Sequence, residues 1–167
     1  MVAEQDDVVD ETGGPGLRWA IKRSFVDYVL RMPDGRAGAG EGAHPLEGGE
    51  IRYEAGEPRE VDGALVLPFR GDVRFAGHFG MLYVRIADPE VTIRDGKAEL
   101  TIADPYLKSE ERTRLVTFTA VPLDAGPGES AWSASDVVLA PEGVELFNDV
   151  YQAGEPFEPL EIRVPAP

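Results

Sequence analysis

The chain has no cysteine in its 167 residues, and this absence removes a good deal of chemistry. Disulfides, thiolate metal sites, cysteine nucleophiles and covalent cofactor attachment through a C-x-x-C-H motif are all excluded. Histidine is nearly absent as well. His44 and His78 are the only two, so a zinc site would need carboxylates to complete its ligand set. Positive charge is scarce: 16 Lys and Arg stand against 31 Asp and Glu, a net charge of -15 at pH 7. Nucleic acid and anionic membrane surfaces are poor partners for such a chain, because both demand clustered cations. The charge reads first as a source of solubility. No apolar run reaches the roughly 20 residues that a membrane-spanning helix needs. Motifs of the G-x-S-x-G, G-x-x-x-x-G-K and H-E-x-x-H types are missing, as is a calcium loop.

What remains is a composition with 43% hydrophobic residues, on a length that suits one domain with a real core. Residues 1–14 read as a disordered acidic lead-in, residues 15–164 as a single domain and 165–167 as a tail. Met1 to Gly14 lacks the basic and apolar segments of a signal peptide. The sequence as written therefore predicts a cytoplasmic protein, or a secreted or cell-surface one if a leader has been removed.

Leu17, Ile21, Ser24, Phe25, Tyr28 and Met32 recur at helical spacing. They predict one long helix from Pro15 or Gly16 to Met32, stopped by Pro33-Asp34-Gly35. The glycine-rich stretch 35–49 reads as a loop or loose hairpin, with Gly38-Ala39-Gly40-Glu41-Gly42 flexible. The period then changes to two. Strands are expected at 51–54, 64–69, 70–75, 81–86, 90–94, 98–103, 114–123, 132–139 and 161–164, with Asp95-Gly96 as a tight hairpin turn. Asp88-Pro89 and Asp104-Pro105 read as strand-ending turns. Pro141 opens a short helix carrying Val144, Phe147, Val150 and Tyr151, closed by Gly154. Crossover helices between strands are lacking, which disfavours a parallel sheet. The expected fold is mainly β (α+β): an antiparallel β-sandwich or open barrel with one long N-terminal helix and one short C-terminal helix.

The most pointed chemistry lies in two short segments, Ser24-Phe25-Val26-Asp27-Tyr28 and Phe75-Ala76-Gly77-His78-Phe79-Gly80. They offer a phenol and an imidazole that a fold can bring together, a pair able to hold ferric iron. Each also has a plain reading. Tyr28 suits a core tyrosine with a satisfied hydroxyl, His78 a turn histidine bonded to backbone. His44, before Pro45, has only the plain one.

A wider pattern bears on this choice. The run Leu17-Arg18-Trp19-Ala20-Ile21-Lys22-Arg23-Ser24-Phe25-Val26-Asp27-Tyr28 resembles the opening of the HtaA family of haem-binding domains, found in actinobacterial haem uptake. The stretch from Phe69 through Gly80, with Asp88-Pro89 after it, is similar to that family's second signature. Leu139-Ala140-Pro141-Glu142-Gly143, then Phe147, Tyr151, Gly154 and Pro159, is similar to its closing segment. The resemblance covers residues 17–160.

It implies that Tyr28 is the metal ligand, an axial tyrosinate on ferric haem b. His78 would be its hydrogen-bond partner and Tyr151 a third residue of the site. Phe25 and Phe79, with Met32, Phe75, Met81 and Tyr83, are candidates for the apolar wall. Arg18, Lys22, Arg31 and Arg74 are candidates for the propionates. A phenolate is a hard anionic donor suited to Fe(III), and a neighbouring donor stabilises its charge. The implied function is haem transfer, uptake or buffering without catalysis. Its partners would be haem and a haem donor or acceptor protein, with a homodimer sandwiching one haem left open. Family members are typically exported, with signal peptides, repeated domains or anchors. This sequence shows none of these, so an intracellular role is expected of it as written. Two rival classes stand beside this reading. One is a non-haem β-sandwich that binds protein or glycan. The other is a haem-handling enzyme, which would need His78 opposite Tyr28 rather than beside it.

Overall fold

A computed structural model of the chain describes residues 14–103 and 111–166. Residues 1–13 of the acidic lead-in and Asp104-Pro105 lie outside the described residues. The strands are β1 (Gly16–Trp19), β2 (Arg36–Gly40), β3 (Ala43–Pro45), β4 (Ile51–Ala55), β5 (Arg59–Val61), β6 (Ala64–Arg70), β7 (Asp72–Gly77) and β8 (Leu82–Ala87). They continue as β9 (Glu90–Arg94), β10 (Lys97–Ala103), β11 (Arg112–Thr119), β12 (Val121–Leu123), β13 (Glu129–Ala134), β14 (Val138–Leu139) and β15 (Leu160–Pro165). The single α-helix among the described residues is α1 (Arg23–Arg31).

One large antiparallel sheet runs β12-β13-β15-β1-β4-β6-β9-β10-β11-β14, with β3 beside β4 and β5 beside β6, and it curls into a half-barrel. A smaller sheet, β2-β7-β8, packs against it. The inner faces meet in one core that includes Leu17, Trp19, Leu67, Val84, Ile86, Leu100 and Ile102. Alternation is clean where one face is buried. In β10, Ala98, Leu100 and Ile102 point inward while Glu99 and Thr101 do not, as a period of two demands. The Asp95-Gly96 turn joins β9 to β10 with both residues at positive φ, the conformation this dipeptide favours.

The open-barrel expectation is close to what is found; the helices are not. The long N-terminal helix is only nine residues, because Gly16–Trp19 is a strand between β15 and β4. Leu17 and Trp19 bury on its inner side while Arg18 turns out to Glu50. Ile21, at φ 66, then turns the chain into α1. The expected C-terminal helix is two 3-10 turns, Pro141–Gly143 and Glu145–Phe147, and does not reach Tyr151. Nor is Gly38-Ala39-Gly40 a flexible loop: it belongs to β2, in register with Arg74, Val73 and Asp72 of β7.

Candidate haem site at the Tyr28–His78 pair

Helix α1 forms on an i, i+4 pair, Phe25 and Val29, both buried. Phe25 packs edge-on against Phe75, Phe147 and Tyr151. Tyr28, one turn after Phe25, lies at the edge of that buried face and is 49% exposed. Pro33 drives Met32 into extended geometry and ends the helix. Behind it, Gly35 lies where any Cβ would fall 1.7 Å from the Val29 carbonyl oxygen. The turn therefore requires glycine.

Strand β7 ends under this corner. A Cβ on Gly77 would meet the Met32 sulfur at 2.4 Å, so glycine lets the strand pass close to the helix end without displacing that flexible side chain. The next three residues, His78, Phe79 and Gly80, take φ values of 50, 55 and 90°. Two consecutive left-handed non-glycine residues are strained, at about 1–3 kcal/mol each. The result brings His78 Nε2 to 2.8 Å from the Tyr28 hydroxyl. The fold thus joins the phenol and the imidazole that the two sequence segments offered. Tyr28 is no core tyrosine, and His78 is bonded through its side chain.

Tyr151 sits behind the pair, half-buried, with its ring against Phe25, Phe147 and Phe157. Burial raises its hydroxyl pKa above the usual 10, with Glu155 and Tyr28 adding to the rise and a hydrogen bond from Ser24 opposing it. Tyr151 is therefore a neutral phenol at ordinary pH. Ser24 is one helical turn before Tyr28, so α1 carries contacts to both tyrosine and histidine partners. Phe79 is 93% exposed and Met81 83%, with Tyr83 beside them on β8. Phe25 and Phe75 are buried and support the site from beneath. Met32 is partly buried.

The four candidate cations separate clearly. Arg18 is paired with Glu50, and Arg74 is held by Asp72, which Arg85 also clamps. Lys22 is nearly buried, donates to the Pro156 carbonyl oxygen at 2.8 Å and lies over the Tyr151 and Phe157 rings. Arg31 makes no ion pair among the described residues and sits three residues beyond Tyr28, on the adjacent turn. Of the four, it alone has no ion pair among the described residues.

A cleft of about 1070 Å³ opens beside the His78 loop, lined by Met81, Tyr83, Thr101, Leu146 and Asn148 among others. A shallower depression of about 610 Å³ lies over β9–β11, away from the pair. Among the described residues, no group of three His, Asp or Glu is placed to hold a bare metal ion. No helix there is long and apolar enough to cross a membrane.

One site residue escaped sequence reasoning. The Asp34 carboxylate accepts the Phe79 backbone N–H at 2.6 Å. In the sequence it is only the middle of a helix-stopping Pro-Asp-Gly, with no sign of a partner 45 residues away.

The HtaA family model matches residues 14–163. Among solved structures, the C-terminal domain of HtaA from Corynebacterium glutamicum is similar at 23% identity with a TM-score of 0.74, covering 89% of this chain and 93% of that one. The N-terminal domain of HtaA from the same organism aligns at 19% identity and TM-score 0.67, over 90% and 97% of the two chains. The heme binding protein HtaB of that organism aligns at 16% identity and TM-score 0.63, over 88% and 90%. No curated protein matches the sequence.

Proposed function

Because the chain belongs to the HtaA family, we propose that it binds ferric haem through the Tyr28 phenolate and passes the haem on unchanged. The observation that carries this reading is the hydrogen bond between the Tyr28 hydroxyl and His78 at an exposed surface.

The donor set suits a porphyrin better than a bare ion. A phenol and its imidazole partner offer one or two ligands, whereas haem brings four equatorial nitrogens of its own. An unperturbed tyrosine ionises near pH 10, so ligation at neutral pH needs the iron's charge and a hydrogen-bond donor on the oxygen. With the phenol ionised, His78 donates its Nε2–H to that oxygen. Phe79, Met81 and Tyr83 are exposed apolar groups for the flat macrocycle. Such a cluster on a surface is itself the mark of a binding site. Arg31 is the cation assigned to a propionate, and Tyr151 braces α1 through its ring contact with Phe25.

Bound haem supplies a ferric Lewis acid, and a tyrosinate favours that state over the ferrous one. This suits storage and handover. His78 lies beside Tyr28 and is bonded to it, which supports a role as its partner rather than as a group opposite it.

Hemin titration of the purified protein, alongside Tyr28→Phe, tests the proposal. Saturable binding with a red-end charge-transfer band that disappears in the variant is the expected result. No binding by the wild type would leave a β-sheet interaction domain for protein or glycan.

A further inference from the structure

The strained turn that presents His78 has to be held by something, and a single carboxylate is placed to do it. Asp34 lies just past the end of α1, in the turn closed by Gly35 N–H bonding to the Met32 carbonyl oxygen. Its Oδ2 accepts the Phe79 N–H at 2.6 Å. That bond, with further backbone N–H groups from Asp34 itself and His78, holds its carboxyl below the usual carboxylate range. Successive left-handed residues turn their N–H groups to one side, forming a small concavity that prefers an anion. A second backbone bond within the turn runs from Met81 N–H to the His78 carbonyl oxygen, and the β7–β8 ladder closes at Gly77 and Leu82.

We infer that Asp34 is a positioning residue: its carboxylate fixes the left-handed turn at His78-Phe79 and thereby keeps the imidazole on the Tyr28 hydroxyl. The inference deepens the haem reading and rests on it only for its consequence, not for the geometry. Asp34 acts by holding the turn that carries His78. Its bond is to the Phe79 backbone N–H, not to the Phe79 ring or the Tyr28 hydroxyl. Since it leaves from the same corner as α1, one junction sets both halves of the pair.

The test uses the haem-free protein, where the two histidines make ring NMR signals easy to assign. Wild type, Asp34→Asn and Asp34→Ala are compared for Phe79 amide exchange and for the ring nitrogen shifts of His78, with His44 as the internal control. In Asp34→Ala, Phe79 exchange should rise at least about tenfold as the turn opens locally. The His78 ring should lose its hydrogen-bonded shift while His44 stays put. Asp34→Asn, which keeps an acceptor oxygen, should fall between. Hemin affinity should drop in Asp34→Ala about as far as in His78→Ala, and the double variant should be no worse than His78→Ala alone. Unchanged Phe79 exchange and His78 shifts, or additive losses in the double variant, would overturn the inference. If Asp34→Ala does not fold, Asp34→Asn carries the same comparison. If wild type takes up no hemin, the haem reading fails while the NMR data still decide the role of Asp34.

Discussion

The two histidines occupy two corners of the surface that differ in nearly everything else. His44 lies on β3 with ordinary strand geometry, its Nε2 2.6 Å from the Glu54 carboxylate. Glu54 also meets Arg70, and the two partners, His44 first, hold its pKa below the usual range. His78 sits in a left-handed turn, its partner is the Tyr28 hydroxyl, and its neighbours are exposed apolar side chains. The first corner is a surface charge network on relaxed backbone, the kind that contributes little to stability. The second keeps strain and exposed apolar area that stability alone would not favour, and this combination is why the proposed site is put there.

The largest expected effect separates the corners outright. Tyr28→Phe should weaken hemin binding by more than about 100-fold, beyond the 10–100-fold that an outer partner of a metal ligand is worth. The charge-transfer band should go with it. His78→Ala should follow with a loss of about 10- to 100-fold and a shifted spectrum. His44→Ala should leave hemin titration unchanged. Equal losses from the two histidine variants would erase the distinction.

The aspartates extend the contrast to stability. Asp72 is nearly buried between Arg74 and Arg85, and these guanidinium hydrogen bonds lower its pKa from the ordinary 3.8 to about 2. Its folded pKa is depressed, so the stability it gives is complete above pH 3.8 and is lost as the pH falls toward 2. After discounting for the exposed side of the clamp, that contribution is about 1–2 kcal/mol. Acid unfolding followed by circular dichroism should show it, and Asp72→Asn should flatten that limb.

Tyrosine offers the same comparison on a smaller scale. Tyr53 is fully buried, donates to the Ile86 carbonyl oxygen at 3.1 Å, and has its pKa raised well above 10, by burial first and then by Asp72 and Asp88. Tyr53→Phe should cost about 1 kcal/mol, the usual net worth of such a bond, with hemin titration untouched. Smallest of all, His44→Ala should cost less than about 1 kcal/mol in a denaturant melt.

The strand positions from β4 to β11 were largely legible, because alternation reports a half-buried face directly. The N-terminal segment was misread for a definite reason. Leu17, Ile21 and Phe25 fall at i, i+4 spacing, yet Leu17 also alternates with Trp19. Both periods fit so short a run, and pairing with β4 and β15 selects the strand. Gly38 and Gly40 suggest a loop by propensity, but β7 gives them a ladder partner.

The sequence by itself determined which groups exist: no thiol, two imidazoles, Tyr28 at the end of an apolar helix face, and a Gly-His-Phe-Gly segment. It also determined the Asp95-Gly96 turn, whose conformation is local. Only the tertiary structure decided that Tyr28 and His78 meet, that Tyr151 lies behind them, and that Asp34 reaches Phe79. Those contacts span 45 residues or more, and nothing in local periodicity encodes them. They depend on β7 passing beneath Met32, whose sulfur packs where a Cβ on Gly77 would lie.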